Sequence, residues 1–340
     1  MTSRIRIGVV GCGAIAQIQH LPNLAFLSDE FDVVGLCDVS TTLARGASEE
    51  YGVSAWHTEL GALLDSSALD AVLLCQTDPK VDVALQVLES GRHLFIEKPL
   101  SHTLKSVDEL IDIVTTHGSV AMVGCNFRFH PALQQIQRLL VAGSLGRVIT
   151  ARGHAGEFLP GWHPSEDWRL GYSARKELGG GVILTLIHEL DYAYWLFGPV
   201  RKVFAQAGGW GGLGLDVEDT AEILLEHRSQ SRVSVHLNYV QRPPTRTLEI
   251  IAERGTIQWD YQAGMVKWYD SETARWEIWT EPSTFDRNTM FLDEVTHFID
   301  CVAGRSTPLI PLTEAKAVLE IALAAKQSAE EDCFVSLKDS

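Results

Sequence analysis

The sequence predicts an α/β protein with a doubly wound parallel sheet, followed by an α+β domain built on a large, mostly antiparallel, open-faced sheet. The chain has 340 residues, which is longer than one average domain. Its first third alternates near-continuous apolar runs with helix-patterned stretches, as in buried parallel sheets. Later, short runs of alternating polarity follow one another closely, as in antiparallel sheets. These patterns place the expected domains at residues 1–124 and 125–340.

The composition limits the partners and the location of the protein. With a net charge of −16, the chain lacks the basic field that binds nucleic acid or anionic membranes. It has no apolar run as long as a membrane span, and its N-terminus lacks the pattern of a secretion signal, so we expect a cytoplasmic protein. The six cysteines are far apart and form no CxxC pair, so neither a disulfide framework nor a metal site is indicated.

A glycine-rich turn follows the first predicted strand, Arg4 to Val10. Gly11-Cys12-Gly13-Ala14-Ile15-Ala16 has GxGxxA spacing and leads into an apolar-periodic helix from Ile15 to Leu27. Between a strand and a helix, this spacing is typical of a Rossmann domain that binds a dinucleotide. Gly11 allows a tight turn, Gly13 lets the backbone approach a pyrophosphate, and the helix N-terminus attracts the phosphates.

The second predicted strand, Phe31 to Cys37, ends at Asp38. A carboxylate at that point can accept hydrogen bonds from the ribose hydroxyls, and it repels a 2′-phosphate. No lysine or arginine follows Asp38 before Arg45. The sequence therefore predicts NAD as the cofactor and disfavours NADP. Asp38 could also cap the helix from Thr41 to Tyr51.

The alternation of strands and helices continues to about residue 123. Thr77 follows one strand and Glu97-Lys98-Pro99 follows the next, so both should lie at the edge of the sheet where ligands bind. Pro99 disfavours helical geometry at Lys98. The alternative is a surface Glu97–Lys98 pair before a turn. The predicted strands are Leu69 to Cys75, His93 to Ile96 and Ser119 to Val123, and the helices are Pro79 to Ser90 and Thr103 to Thr116.

Together these motifs resemble the Gfo/Idh/MocA dehydrogenases, named after glucose-fructose oxidoreductase and inositol dehydrogenase. The resemblance implies that Lys98, the lysine of the Glu-Lys-Pro motif, lies beside the nicotinamide and the substrate hydroxyl. Relatives often carry a histidine five residues after the threonine, where this chain has Asp82. The residues expected to contact the cofactor are Gly11, Gly13, Ala14, Ile15, Asp38, Thr77, Glu97 and Lys98.

The pattern changes after residue 123, where Asn126-Phe127-Arg128 leads into a predicted helix from Pro131 to Ala142 and a strand from Arg147 to Ala155. Family members have a similar segment at this junction, which implies that Asn126 and Arg128 face the substrate cleft. From the residues alone, an arginine that anchors the two domains is equally plausible.

The segment from Glu157 to Lys176 is the least regular part of the chain and is rich in aromatic and basic residues. Such loops suit a polyhydroxylated or anionic ligand, but they also pack against neighbouring subunits. We expect Trp162, Arg169 and Tyr172 to contact substrate. The basic cluster that an anionic substrate would need consists of Arg169, Arg175 and Lys176.

Three glycines precede a predicted helix from Val182 to Phe197, which carries Thr185, His188 and Asp191. On one continuous helix, Leu184, His188 and Asp191 would share a face. Relatives end this segment with His-x-x-Asp, which implies a catalytic role for His188. The acid that relatives carry before the histidine is missing, because Leu184 stands there. Without the resemblance, a buried structural histidine is the alternative.

The rest of the chain has the pattern of short strands followed by two helices. The strands are Lys202 to Ala207, Thr220 to Glu226, Arg232 to Val240, Thr247 to Ala252, Gly255 to Trp259, Met265 to Tyr269 and Trp276 to Trp279, and the helices are Met290 to Ala303 and Thr313 to Glu330. A sheet with helices on one side leaves its other face for a second subunit, so we expect a homodimer or homotetramer.

The sequence thus predicts an NAD-dependent oxidoreductase that transfers a hydride between a nicotinamide and the hydroxyl or keto carbon of a sugar, nucleotide-sugar or cyclitol. Lys98 and His188 are the expected catalytic residues, because an amine and an imidazole can each carry the hydroxyl proton. The alternatives are a glycosidase that uses tightly held NAD for transient oxidation, and a non-catalytic sensor of NAD and sugar. The expected substrate contacts are Asn126, Arg128, Trp162, Arg169, Tyr172, Thr185, His188 and Asp191.

Overall fold

The computed structural model describes residues 4–65, 69–77, 79–162 and 167–338. The chain divides into two compact units. The first comprises Met1–Asn126 and Asp286–Lys316, and the second comprises Phe127–Phe285 and Ala317–Ser340. Residues 286–316, which the sequence pattern places in the later domain, belong to the first unit.

Fifteen strands lie in the described ranges and form two sheets. The first sheet contains β1 (Ile5–Val10), β2 (Phe31–Cys37), β3 (Trp56–His57), β4 (Ala71–Leu74), β5 (His93–Glu97) and β6 (Ala121–Gly124). The second contains β7 (Val148–Gly156), β8 (Val200–Gly208), β9 (Thr220–His227), β10 (Arg232–Asn238), β11 (Thr245–Ala252), β12 (Gly255–Asp260), β13 (Met265–Asp270), β14 (Arg275–Thr280) and β15 (Val335–Ser336).

Ten α-helices accompany these strands in the same ranges. They are α1 (Leu21–Phe26), α2 (Thr41–Tyr51), α3 (Leu60–Leu64), α4 (Lys80–Glu89), α5 (Val107–His117), α6 (Pro131–Val141), α7 (Val182–Thr185), α8 (His188–Phe197), α9 (Arg287–Val302) and α10 (Leu312–Glu331). A π-helical turn, Ala16–His20, precedes α1. Within the described residues, none of these helices has both the length and the apolar character needed to cross a membrane.

The first sheet has the order β3-β2-β1-β4-β5-β6, and all of its strand pairs are parallel. The apolar strand β4 is buried along its whole length, as expected for a sheet covered on both faces. The predicted doubly wound sheet is therefore confirmed. The strand order reverses between β1 and β4, so the loops that follow β1, β2, β4 and β5 meet at the edge where such sheets bind ligands.

The second sheet has the order β14-β13-β12-β11-β7-β10-β9-β8-β15. Strands β7 and β10 pair in parallel and the other pairs are antiparallel, which confirms the predicted mostly antiparallel sheet. Burial alternates along β10, where Val233, Val235 and Leu237 are buried on one face. The opposite face, here called the open face, carries Leu224 and Ile278, which are 51% and 60% exposed.

The chain from Val182 to Phe197 is two helices, and the expectation of one continuous helix is wrong. At Leu186 the backbone leaves helical geometry, with φ −94° and ψ 39°, and α8 begins at His188. Leu184 and Thr185 therefore lie on α7, and the face that one helix would have given to Leu184, His188 and Asp191 does not form. The short elements β3 and α3, which the sequence pattern does not predict, complete the edge of the first sheet next to β2.

Candidate active site

The turn after β1 leaves room for a bound group to approach the backbone. Gly11 has a φ of +88°, and a Cβ added there would lie 2.5 Å from the backbone nitrogen of Gln76, so a larger residue does not fit. A Cβ at Gly13 would meet no atom within 4 Å, which shows that the space beside it is open. Ala14 and Ile15 follow and are half-buried. The turn therefore has the open, side-chain-free surface that suits a pyrophosphate.

Asp38 follows β2 and is held by two backbone N–H groups. The N–H of Cys12 donates to its Oδ2 at 2.7 Å, and the N–H of Ser40 donates to its Oδ1 at 2.8 Å. Each carboxylate oxygen has a further lone pair, so this half-buried group can also accept hydrogen bonds from ribose hydroxyls. Ser40, and not Asp38, caps α2, because its hydroxyl accepts from the N–H of Leu43 at 3.4 Å.

The turn that carries Lys98 is fixed by two buried side chains. Glu97 is 5% exposed, and its Oε1 lies 2.6 Å from Nε2 of the fully buried His20. Its Oε2 accepts from the backbone N–H of Lys98 at 3.0 Å. The ammonium of Lys80, which is 7% exposed, donates to the carbonyl oxygens of Glu97 at 2.7 Å and Pro99 at 2.8 Å. The residues on both sides of Lys98 are therefore fixed by hydrogen bonds from one buried ammonium group to their carbonyl oxygens.

Charges in this cluster shift one another's pKa. Burial lowers the pKa of Lys80 to about 8; the charge of Glu97 opposes this shift, and that of Lys98 adds to it. Burial alone would raise the pKa of Glu97, but the His20 hydrogen bond and the charges of His20, Lys98 and Lys80 outweigh it and lower that pKa. A lysine in the first turn of a helix is unfavourable because its charge opposes the helix dipole. The position of Lys80 at the start of α4 is therefore the sequence feature that could have pointed to its role.

Thr77 and Lys98 lie at the same edge of the first sheet as Gly11. They follow the neighbouring parallel strands β4 and β5, and both are half-buried. The loop that carries Thr77 starts beside β1, because the N–H of Cys75 donates to the carbonyl of Val10 at 2.7 Å. Asp78, which follows Thr77, lies outside the described residues. The structure thus brings the predicted cofactor residues of the first unit together at one edge.

His188 is the first residue of α8 and is 9% exposed. Its ring lies 4.9 Å from the ring of Phe127, and the guanidinium of Arg246 lies 4.1 Å from that ring on Phe127. Thr185 is buried on α7. The imidazole of His188 therefore packs on the ring of Phe127, and the guanidinium of Arg246 packs on that same ring.

Arg128 and Asp191, both predicted to contact substrate, pair with each other. The guanidinium donates to both carboxylate oxygens at 2.8 to 3.2 Å, and the two side chains are 1% and 0% exposed. This bidentate pair joins the segment before α6 to the first turn of α8, which makes Arg128 an anchor within the second unit. Asn126, two residues before Arg128, is also buried, at 4% exposure.

A second buried ion pair on the same turn was missed from the sequence. Arg246 Nε lies 2.7 Å from Glu189 Oε1, and the side chains are 9% and 0% exposed. Glu157 lies farther from the same guanidinium, at 3.7 Å. Burial raises the pKa of Glu189 despite the opposing charge of Arg246. Arg246 sits in a strand of alternating polarity, so its sequence pattern gives no sign of this pairing.

Two arginines of the expected basic cluster on the irregular loop each lie beside an acidic residue. Arg169 is exposed and lies 3.4 Å from Asp167, and Arg175 pairs with Glu177. Both guanidinium charges thus have a local acidic partner. Trp162 and Tyr172 are half-buried, and His163 lies outside the described residues.

Comparison with known proteins identifies the family. Residues 5–125 match the model of an oxidoreductase family with an NAD-binding Rossmann fold, and residues 133–258 match the GFO/IDH/MocA C-terminal domain. The chain belongs to the Gfo/Idh/MocA family. The chain is similar to myo-inositol 2-dehydrogenase of Thermotoga maritima, with 27% identity over 98% of this chain and 99% of the relative. It is also similar to scyllo-inositol 2-dehydrogenase (NAD(+)) of Bacillus subtilis, with 26% identity over 96% of this chain and 95% of the relative.

Solved structures of this family share the fold. Levoglucosan dehydrogenase in complex with NADH superposes with a TM-score of 0.88 at 19% identity, over 99% of this chain and 100% of the other. The WlbA dehydrogenase of Bordetella pertussis, in complex with NADH and UDP-GlcNAcA, gives 0.84 at 22% identity over 99% and 100%. As a Gfo/Idh/MocA protein, the chain is an NAD-binding oxidoreductase. The alternatives of a glycosidase or a sensor gain no support from these relatives.

Proposed function

We propose that this enzyme oxidises a secondary hydroxyl of a sugar, nucleotide-sugar or cyclitol with NAD, or reduces the corresponding ketone. The observation that carries the proposal is the buried clamp around Lys98, which presents an amine at the ligand edge of an NAD-binding sheet. The relatives support a polyhydroxylated substrate, because they are named for inositols and levoglucosan, and one structure contains bound UDP-GlcNAcA.

The residues at this edge fit NAD. Gly11, Gly13, Ala14 and Ile15 would receive the pyrophosphate, and Asp38 would receive the ribose hydroxyls of the adenosine half. Thr77, Glu97 and Lys98 would lie beside the nicotinamide half, at the end of the strands next to β1. When bound, NAD supplies the acceptor for the hydride. The negative charge of Asp38 disfavours the 2′-phosphate of NADP.

The protein's part in the reaction is to move a proton. Oxidation of a secondary alcohol takes a hydride from carbon and a proton from oxygen, and the proton needs a base of the protein. Lys98 and His188 are the proposed proton carriers. Leu184 is apolar and buried where relatives have an acid, so Thr185 is the nearby polar residue on α7 that could help to hold the substrate.

A panel of sugars, nucleotide-sugars and cyclitols tests the proposal. With excess NAD, the preferred substrate should produce free NADH in proportion to the substrate consumed, followed by nicotinamide absorbance. A glycosidase would instead release product while the reduced cofactor stays bound through many cycles. A sensor would bind NAD and sugar without any hydride transfer. Either of these two results would contradict the proposed reaction.

Two further properties belong to this proposal. Arg169, Arg175 and Lys176 could still meet an anionic group on the substrate, although the first two have acidic neighbours.

A second copy of the chain could cover the open face, where Leu224, Trp276 and Ile278 expose 49% to 60% of their surface. Light scattering should then give a homodimer or homotetramer, and Leu224→Lys should shift it toward the monomer.

A further inference from the structure

A buried histidine ends the π-helical turn that follows the glycine-rich turn. The turn runs from Ala16 to His20 and continues into α1 at Leu21. Such turns are rare and are frequent at functional sites. Ile18 is 57% exposed on this turn, whereas His20 is 0% exposed, so the polar side chain lies inside and the apolar one outside. Because a buried polar group is unfavourable without a hydrogen bond, the partner of His20 matters.

That partner is the carboxylate of Glu97, whose Oε1 lies 2.6 Å from Nε2 of His20. Burial raises the pKa of Glu97, but the His20 hydrogen bond and nearby positive charges outweigh burial and lower it. The carboxylate is therefore ionised and only accepts, so Nε2 of His20 is the donor. The other ring nitrogen, Nδ1, is buried and has no hydrogen-bond partner among the described residues. The imidazole is thus held in place by its bond to Glu97 and by packing.

Two aromatic rings fix the direction in which the imidazole points. The ring of Phe95 lies 5.8 Å from the imidazole and that of Phe291 lies 6.0 Å from it, both in edge-to-face geometry. Phe95 is on β5, two residues before Glu97, and Phe291 is on α9, in the same unit. The imidazole is therefore packed against the strand that carries its hydrogen-bond partner.

We propose that His20 is a positioning residue for Lys98. It holds Oε1 of Glu97, so that Oε2 of the same carboxylate stays on the backbone N–H of Lys98 at 3.0 Å. The π-helical turn that follows the glycine-rich turn is thereby joined to the proton carrier by two consecutive hydrogen bonds. Lys80 acts at different atoms, the carbonyl oxygens of Glu97 and Pro99. The inference rests on the proton-transfer role of Lys98 in the proposed function.

Three substitutions test the proposal through turnover. His20→Leu removes the donor to Glu97, and kcat with the preferred polyol should fall at least about tenfold, because the Lys98 amine is less firmly positioned. His20→Gln keeps an N–H donor near the position of Nε2 and should recover most of that loss. The KM and the Kd of NADH should change little in either variant. His117→Leu, at an exposed site on α5, is the control and should keep the wild-type kcat.

A purely structural role of His20 predicts a different pattern. Both His20 variants would then lose stability, while kcat per folded chain would stay at the wild-type value in both. Glu97→Met removes the acceptor, so adding His20→Leu to it should lower kcat no further if His20 acts through Glu97. The double variant replaces both buried partners by apolar groups, so it leaves neither of them unpaired and decides the question even if His20→Leu alone does not fold.

The position of Lys98 can also be measured without turnover. Reductive methylation with ¹³C-formaldehyde labels lysine amines for NMR, and Lys98→Met identifies the Lys98 signal by its absence. In the NADH-bound protein, His20→Leu should shift or broaden this signal, whereas His117→Leu should not. Because this readout needs no hydride transfer, failure of the proposal is distinguishable from failure of the proposed function. The proposal would be overturned by an unchanged Lys98 signal in His20→Leu, or by a further loss of kcat when His20→Leu is added to Glu97→Met.

Discussion

The ammonium of Lys80 donates a hydrogen bond of 2.7 Å to the carbonyl oxygen of Glu97, the residue before Lys98. A second bond, of 2.8 Å, runs from the same ammonium to the carbonyl of Pro99. Lysine is rarely buried to this extent, and desolvation of its charge is unfavourable. The clamp on the backbone around Lys98 explains why the ammonium is there.

Loss of the clamp should impair turnover without abolishing cofactor binding. Lys80→Met leaves two carbonyl groups without this donor, so the unfolding free energy should fall by about 1–3 kcal/mol for each group that stays unsatisfied. We expect kcat to fall at least about tenfold, because the Lys98 amine loses its fixed position. Steady-state kinetics and thermal unfolding measure both effects. Lys105→Met, at an exposed site of the first unit, is the control, and equal kcat values in the two variants would contradict the role of Lys80.

Asp38 should determine the choice between NAD and NADP. Asp38→Asn keeps an oxygen that can accept one of the two backbone N–H bonds and removes the charge that repels a 2′-phosphate. The ratio of kcat/KM for NADP to that for NAD should rise by at least about tenfold, which corresponds to about 1.4 kcal/mol. An unchanged ratio, with both cofactors affected equally, would show that Asp38 acts on the fold of the turn alone.

The Arg246–Glu189 pair should stabilise the second unit and the position of His188. Arg246→Met leaves the buried Glu189 carboxyl without its partner, and breaking such a pair lowers stability by about 3–5 kcal/mol. Phe127, which packs on His188, also loses the guanidinium that covers it, so the position of His188 is less fixed. We therefore expect kcat to fall with little change in the Kd of NADH. Denaturant unfolding and NADH titration measure these effects. Arg305→Met removes an exposed pair with Asp300 and should change neither stability nor kcat; a similar loss there would contradict the interpretation.

His130 should make the stability depend on pH. Its Nδ1 accepts from the N–H of Ala132 at 3.2 Å, and burial, followed by the charge of Arg246, lowers the pKa of His130 to about 3. The unfolded chain holds this proton more tightly, so stability falls as the pH drops below about 6.5. Between about pH 7.5 and about pH 5 the loss should be about 2 kcal/mol. Glu281, 3.6 Å from Nε2, opposes the loss only when ionised, and burial raises the pKa of Glu281.

The matched variant for this prediction is His130→Asn, which keeps an N-cap acceptor and removes the titrating ring. Between these two pH values, the unfolding free energy of the variant should fall by about 2 kcal/mol less than that of the wild type. Denaturant unfolding at the two pH values measures the difference. Identical pH dependence in both proteins would show that His130 does not contribute it.

The sequence predicts the first sheet well because each signal there is local. The spacing Gly11-x-Gly13 specifies its turn, apolar runs specify buried strands, and Asp38 and Lys98 are placed by the strands they follow. The cofactor edge could therefore be predicted before the structure was known. The break at Leu186 could not, because helical periodicity continues across it while the backbone does not.

The long-range pairs were beyond sequence reasoning for a different reason. Arg246 lies on β11 and Glu189 on α8, far apart in the sequence. Only strand register and packing bring such groups together, and neither leaves a periodic signal. The acidic partners of Arg169 and Arg175 are a different case, because Asp167 and Glu177 are each only two residues away and a count of local charges reveals them.

The central claim is that the amine of Lys98 takes part in proton transfer, and Lys98→Met tests it most directly. The substitution keeps an unbranched apolar stem and removes the ammonium. Turnover with the preferred polyol should fall by about 10² to 10⁴, while fluorescence titration should give the wild-type Kd for NADH. Full turnover in Lys98→Met, with NADH bound normally, would contradict the account.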